Sequence, residues 1–178
     1  MTSRTVALAI VLSLCACNFD SHKNAAASKV DVKHVIDSLN SRFMKGMLAG
    51  QVDSIADIFA QDVWQMPPNE MPLVGRDSVR AFWKRAVATG SWQFDVRTDD
   101  VITADSLAVE RGHYTLKGIA GPKAPYPSFE DQGNYIVLWR RESDGHWRVV
   151  WDAPVSTKPL PAPPTPPTPA TRKTPGGE

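Results

Sequence analysis

The chain has 178 residues, 20 basic and 19 acidic, for a formal net charge of +1, with 42% apolar residues and fifteen prolines. That length fits one domain with tails. The near-balance of charge argues against a nucleic-acid-binding protein and against a polybasic membrane-surface protein.

The first 16 residues read as a targeting segment. Arg4 is their only charge, and residues 6–14 form an apolar run too short to span a bilayer. Leu14-Cys15-Ala16-Cys17 resembles a bacterial lipobox. That resemblance implies cleavage before Cys17, lipidation of the Cys17 sulfur, and a mature chain with one cysteine and hence no internal disulfide. The expectation is an envelope protein facing the periplasm, touching the membrane through its lipid anchor only. Asn18 stands after the cysteine rather than Asp, which favours the outer membrane. Residues 17–27 are polar and alanine-rich and read as a tether.

Ser28-Lys29-Val30-Asp31 has capping-box spacing, with Asp in place of the usual Glu. Apolar residues at Val32, Val35, Ile36, Leu39, Phe43 and Met47 then predict a helix, stopped at Gly50. His34 lies off that stripe and reads as solvated. Val52, Ile55, Ile58 and Phe59 predict a second, short helix. Val63-Trp64-Gln65-Met66 predicts a strand ended by Pro67-Pro68, because proline denies a ladder hydrogen bond. Residues 69–75 read as a loop or weak strand. A third helix follows Asp77, with Val79, Phe82, Trp83, Ala86 and Val87 on one face.

The rest reads as strand. Trp92, Phe94 and Val96 alternate with polar residues, Asp105-Ser106 marks a turn, and residues 107–118 form a long strand in which Gly112 suggests a bulge. Residues 121–127 are a loop. Two β-branched and aromatic runs, residues 135–139 and 147–151, flank Glu142-Ser143-Asp144-Gly145, a strong hairpin signal that also brings Trp139, Trp147 and Trp151 close together. From residue 157 the chain becomes proline- and threonine-rich, has no apolar periodicity, and reads as an extended, disordered spacer. The expected domain is residues 28–156.

The order of elements is helix, helix, short strand, helix and four strands. With it come the stretches Ile55–Val63, Pro67-Pro68, Val74–Trp83, Glu110–Leu116, Gly133–Arg141 and Trp147–Asp152. Together these resemble the SnoaL-like and ketosteroid isomerase-like proteins of the nuclear transport factor 2-like superfamily, and within it the branch called domain of unknown function 4440. The resemblance covers roughly residues 30–156. It implies an α+β fold in which three helices pack into a strongly curved mixed sheet that forms a cone.

Such a cone encloses an apolar pocket with few polar groups. The resemblance implies that Trp64, Met66, Trp83, Tyr114, Tyr135 and Trp151 wall it, with the Tyr135 hydroxyl orienting a small hydrophobic ligand. The steroid isomerases use an Asp base and an oxyanion hole of Tyr and protonated Asp. Here the base position falls on Pro67, the hole tyrosine on Phe43, and the hole aspartate near Tyr135, so that constellation is not expected. Glu110, His113 and Asp152 sit on neighbouring strands as acid–base candidates. Glu110 and His113 are three apart, which in a regular strand puts them on opposite faces. His22, His34, His113 and His146 are scattered without metal-ligand spacing, and neither metal nor cofactor is expected.

Two function classes stay open, with a protein-association module as a further alternative. One is a binding module for a small apolar or aromatic molecule; the other is an isomerase-, cyclase- or dehydratase-type enzyme. The hairpin is apolar on both faces, so its outer face needs cover, and a homodimer is expected.

Overall fold

The computed structural model describes residues 31–159. The readings on the targeting segment, Cys17, the tether, Ser28 and most of the proline-rich tail lie outside the described residues.

Helix α1 spans Val32–Leu48, and the Asp31 side chain caps it by accepting from the His34 amide. The second helix is shorter than its apolar spacing suggested. It is one turn, α2 at Val52–Ile55, continued by a 3-10 turn at Ala56–Ile58. The chain then extends early, so β1 runs Phe59–Gln65 and claims Phe59, which the spacing gave to the helix. After the proline pair comes β2, Leu73–Val74, and then α3, Arg76–Thr89. Four long strands follow: β3 Gly90–Ala104, β4 Leu107–Ala120, β5 Phe129–Arg141 and β6 Trp147–Ser156. Asp105 at φ 51° makes the tight turn between β3 and β4, and Gly145 at φ 82° the one between β5 and β6.

The six strands form one sheet in the order β2-β1-β6-β5-β4-β3. All neighbours are antiparallel except β1 and β6, which run parallel. The inner face packs on the helices. Ile36 and Met47 of α1, Ile55 of α2, Val63 of β1, Val79 of α3 and Trp139 of β5 are each at most 2% exposed. Burying a side chain of this size stabilises the fold by roughly 2 kcal/mol. Edge-on aromatic pairs join the layers: Phe43 on α1 meets Phe94 on β3 at 5.2 Å, and Phe94 meets Trp83 on α3 at 5.6 Å.

Two local irregularities decide what faces inward. In β6 the register shifts between Leu138 and Trp139 on the partner strand: Leu138 pairs with Trp151, yet Trp139 pairs with Val149. Val150 is thus an extra residue, a β-bulge. Trp147 and Val149 point inward, and strict alternation would put Trp151 with them. The bulge inverts the phase, leaving Trp151 54% exposed and turning Asp152 inward. In β3 the shift falls between Thr98 and Asp100, opposite Gly112, so the bulge lies on the strand facing that glycine.

Candidate functional site

Between the sheet and the helices lies a cavity of about 150 Å³. That is roughly ten water-sized volumes, enough for a molecule with one or two small rings. Phe43 of α1, Pro67 and Pro68 of the loop after β1, Phe94 of β3, Leu116 of β4 and Val137 of β5 supply much of its wall, which is overwhelmingly apolar. The polar exceptions are few and come from specific strand positions.

Asp152 is the one acid among them with an oxygen that no protein donor reaches among the described residues. The Trp83 indole N–H donates to Gln65 Oε1 at 2.9 Å. An indole nitrogen can only donate, which fixes the Gln65 amide with its NH₂ turned the other way. That NH₂ donates to Asp152 Oδ2, also at 2.9 Å. Gln65 and Asp152 are register partners on β1 and β6, and the Met66 amide donates to the Asp152 carbonyl at 2.8 Å, so both backbone and side chain hold the residue. Asp152 Oδ1 has no partner among the described residues. Asp152 is half-buried, and it keeps some accessible surface where it borders the cavity. Burial pushes the Asp152 carboxyl up to about 6. The Gln65 bond pulls the other way, and the Glu110 charge adds to the rise.

Glu110 is also inside, fully buried, but it is committed. Asn40 Nδ2 at 2.7 Å, Thr98 Oγ1 at 2.8 Å and the Tyr135 hydroxyl at 2.7 Å donate to Oε1, and Trp139 Nε1 donates to Oε2 at 2.8 Å. Four donors from α1, β3 and β5 converge on one acceptor-only group. Gly112 makes room for this cage: a Cβ there would collide with the Arg97 carbonyl and the Tyr135 hydroxyl. Burial, reinforced by Glu110, raises the Tyr135 pKa. The Tyr135 hydroxyl therefore serves Glu110 and is not the ligand-orienting donor expected from the sequence, although its ring lines the cavity.

His113 faces outward, as its three-residue offset from Glu110 requires, and its Nδ1 lies 3.1 Å from Asp99 Oδ1 on the exposed surface. The three acid–base candidates thus do not form one group. Glu110 and Asp152 share the interior, and His113 is on the other side of the sheet.

Of the expected pocket walls, Trp83, Tyr114 and Tyr135 line the cavity. Trp64, Met66 and Trp151 do not. Trp64 is 45% exposed on the outer face, paired with Trp151 across the β1–β6 seam, and Met66 is half-buried beyond the strand end. In β1 the inward phase is that of Val63 and Gln65, opposite to the phase of Trp64 and Met66. Phe43 and Pro67, at the positions of the steroid isomerase hole tyrosine and base, both line the cavity.

Three polar wall residues were not anticipated: Gln65, Asn40 and Asp131. Alternation carried forward from Val63 reaches Gln65, and alternation carried back from Tyr135 through Gly133 reaches Asp131. Asp131 accepts from the Tyr114 hydroxyl at 2.7 Å and from Ser156 Oγ at 2.5 Å. Burial first, then this bond, pushes the Tyr114 hydroxyl well above its ordinary pKa, and the Asp152 charge adds to the effect.

The sequence profile of the SnoaL-like domain matches residues 41–150. No curated protein matches the sequence. Solved structures of similar shape include a conserved protein from Planctomyces limnophilus, at 16% identity and a TM-score of 0.62, covering 70% of this chain and 97% of that one. Another is a ketosteroid isomerase-like protein from Erwinia carotovora atroseptica, at 15% identity and 0.62, covering 73% and 99%. A third is a nuclear transport factor 2-like superfamily protein from Salmonella enterica serovar Typhimurium, at 12% identity and 0.59, covering 75% and 96%. At these identities the likeness concerns the fold, and the α+β arrangement of helices in a curved mixed sheet is the nuclear transport factor 2-like one.

Proposed function

We propose a small-molecule-binding function on one established premise: the chain belongs to the SnoaL-like domain family. The cavity holds a small, mostly apolar or aromatic molecule, and Asp152 is its polar anchor. The observation that carries this reading is a single open carboxylate oxygen in an apolar wall, held in place by Gln65 and, through it, by Trp83. Few convergent polar groups in an apolar concavity are the usual form of such a site. Indole fluorescence tests it, because Trp83 and Trp139 border the space. A panel of flat hydrophobic compounds should include members that saturably change the emission, and Trp83→Phe should weaken their binding by removing the Gln65 partner. If no member of the panel binds, the reading fails.

A second reading is acid–base chemistry of the isomerase, cyclase or dehydratase kind. It is favoured by the Asp152 carboxyl itself, whose pKa of about 6 suits a general base near neutrality. One structural neighbour is called ketosteroid isomerase-like, yet Phe43 and Pro67 occupy the positions of that chemistry's hole tyrosine and base. Turnover that disappears in Asp152→Asn would select this reading over plain binding. A protein-association role is the remaining alternative, supported by apolar residues on the outer face of the sheet.

The same proposal places the protein in the bacterial envelope, in the domain of unknown function 4440 branch, as a lipid-anchored homodimer facing the periplasm. The support for the anchor is Leu14-Cys15-Ala16-Cys17 behind an apolar run. Cys17→Ser should abolish incorporation of a fatty-acid analogue and release the protein from membranes; retention of that variant in the membrane fraction would refute the anchor.

A further inference from the structure

The cavity has a sign as well as a shape. Among the described residues its wall contains two carboxylic acids, Asp131 and Asp152, and no Lys, Arg or His. Several surface carboxylates are paired with cations: Asp62 with Arg140, Asp144 with Arg148, Asp53 with Arg80 and Lys84. The titratable groups around Asp152 are Glu110 and Tyr114 on β4 and Asp131 and Tyr135 on β5. Among the described residues, those that β1, α3 and α1 bring to the wall are all uncharged: Phe59, Gln65, Trp83, Asn40 and Phe43. Glu110 and Asp131 are satisfied by hydroxyl, amide and indole donors from the protein, and Asp152 has one donor, on one oxygen. A carboxylate in an apolar wall without a cation beside it is costly, and an arriving cation offsets that cost. The surrounding surface suits one kind of cation. Rings from Phe43, Trp83, Phe94 and Tyr114 border the same space, and aromatic faces attract ammonium groups.

We infer that the cavity selects a small lipophilic amine: a flat apolar or aromatic body of about ten non-hydrogen atoms bearing one ammonium group, which pairs with Asp152 Oδ1 while the body lies among the rings. The inference rests on the binding reading above and narrows its ligand class. Neutral molecules of the same shape would fill the volume but leave the carboxylate uncompensated. Anions would meet two acids and no positive group.

Three probes with one body separate these cases: phenethylamine, 2-phenylethanol and phenylacetate, titrated into the purified protein and followed by tryptophan emission or ligand-observed NMR. At pH 7.5 phenethylamine should bind at least tenfold more tightly than 2-phenylethanol, with phenylacetate weakest. An amine stays protonated across pH 5–8, so its advantage should shrink toward pH 5 as Asp152 takes up a proton, while binding of the alcohol stays level. Asp152→Asn, which can still accept from Gln65, should abolish the advantage, bringing amine and alcohol affinities together. Should that variant fold poorly, the pH series on the unaltered protein distinguishes the cases by itself. Equal affinity for amine and alcohol, or an amine preference that persists in Asp152→Asn or is indifferent to pH, overturns the inference while leaving the cavity reading intact. If none of the three probes binds, and no member of the wider apolar panel does either, both fall together.

Discussion

Glu110 and Asp152 show how two acids on one inner face come to differ. Glu110 has four donors around it and no remaining capacity for a ligand. Asp152 has one, and its partial burial in an apolar wall favours its neutral form in the folded state. The sign of the resulting pH dependence follows from linkage. The folded pKa of about 6 lies above the ordinary 3.8. The stability tied to this group is therefore fully present below pH 3.8 and is lost as pH rises through 6. The full shift corresponds to at most about 3 kcal/mol, and the partial exposure of Asp152 reduces it. Other carboxylates act oppositely: Asp62 and Asp144 are held low by hydrogen bonds from Arg140 and Arg148, so their contribution is lost as pH falls. They lie on the exposed surface and cancel in a difference between two variants. Urea unfolding of wild type and Asp152→Asn at pH 4, 5, 6 and 7 should show wild type losing stability relative to the variant by about 1–3 kcal/mol across that range. A difference that stays flat with pH would mean the carboxyl is not desolvated.

At the scale of elements, what was legible in the sequence is what depends on local period and turn chemistry. The α1 stripe and the opposed faces of Glu110 and His113 follow from repeats of 3.6 or 2.0 residues, the turns at Asp105 and Asp144-Gly145 follow from residues that accept turn conformations, and each is found where the pattern put it. What was not legible depends on one inserted residue. By alternation alone Trp147, Val149 and Trp151 share a phase, and large aromatic residues in phase with a core read as core. Val150 breaks that phase through pairing with β5, a partner whose register is not a local property of β6. The wall thus loses Trp151 and gains Asp152, exchanging its expected aromatic patch for its polar anchor. Gln65 was missed for a related reason. Between Trp64 and Met66, an amide looks like the solvent-facing member of the strand, and only the Trp83 indole and Asp152 give it a reason to be buried.

The whole molecule carries the consequence of that inversion on its other side. Val74, Trp64, Trp151, Leu138, Val109 and Ile102 are successive register partners across all six strands. They form one apolar row over roughly 24 Å of sheet, at about 4.8 Å per strand. Five of the six are more than 40% exposed, and Ile136 at 57% and Val155 at 61% flank the row. A contiguous apolar band of this extent on a sheet face calls for cover, and a second copy is the occupant proposed for it. A face that is its own partner meets itself across a two-fold axis, so the row would cross the equivalent row and each tryptophan pair would contribute twice. The expected result is a dimer mass in sedimentation equilibrium at micromolar concentration for the chain lacking residues 1–17. Trp151→Glu places an unpaired charge at the centre of that contact and should convert the protein to monomer, whereas Ser38→Glu, on the exposed side of α1, should not. Because Trp151 points away from the cavity, the monomeric variant should keep the ligand affinity of the wild type to within about twofold, less than half a kilocalorie. A wild-type mass that stays monomeric across that concentration range would leave the row without a self-partner and shift the weight to association with a different protein.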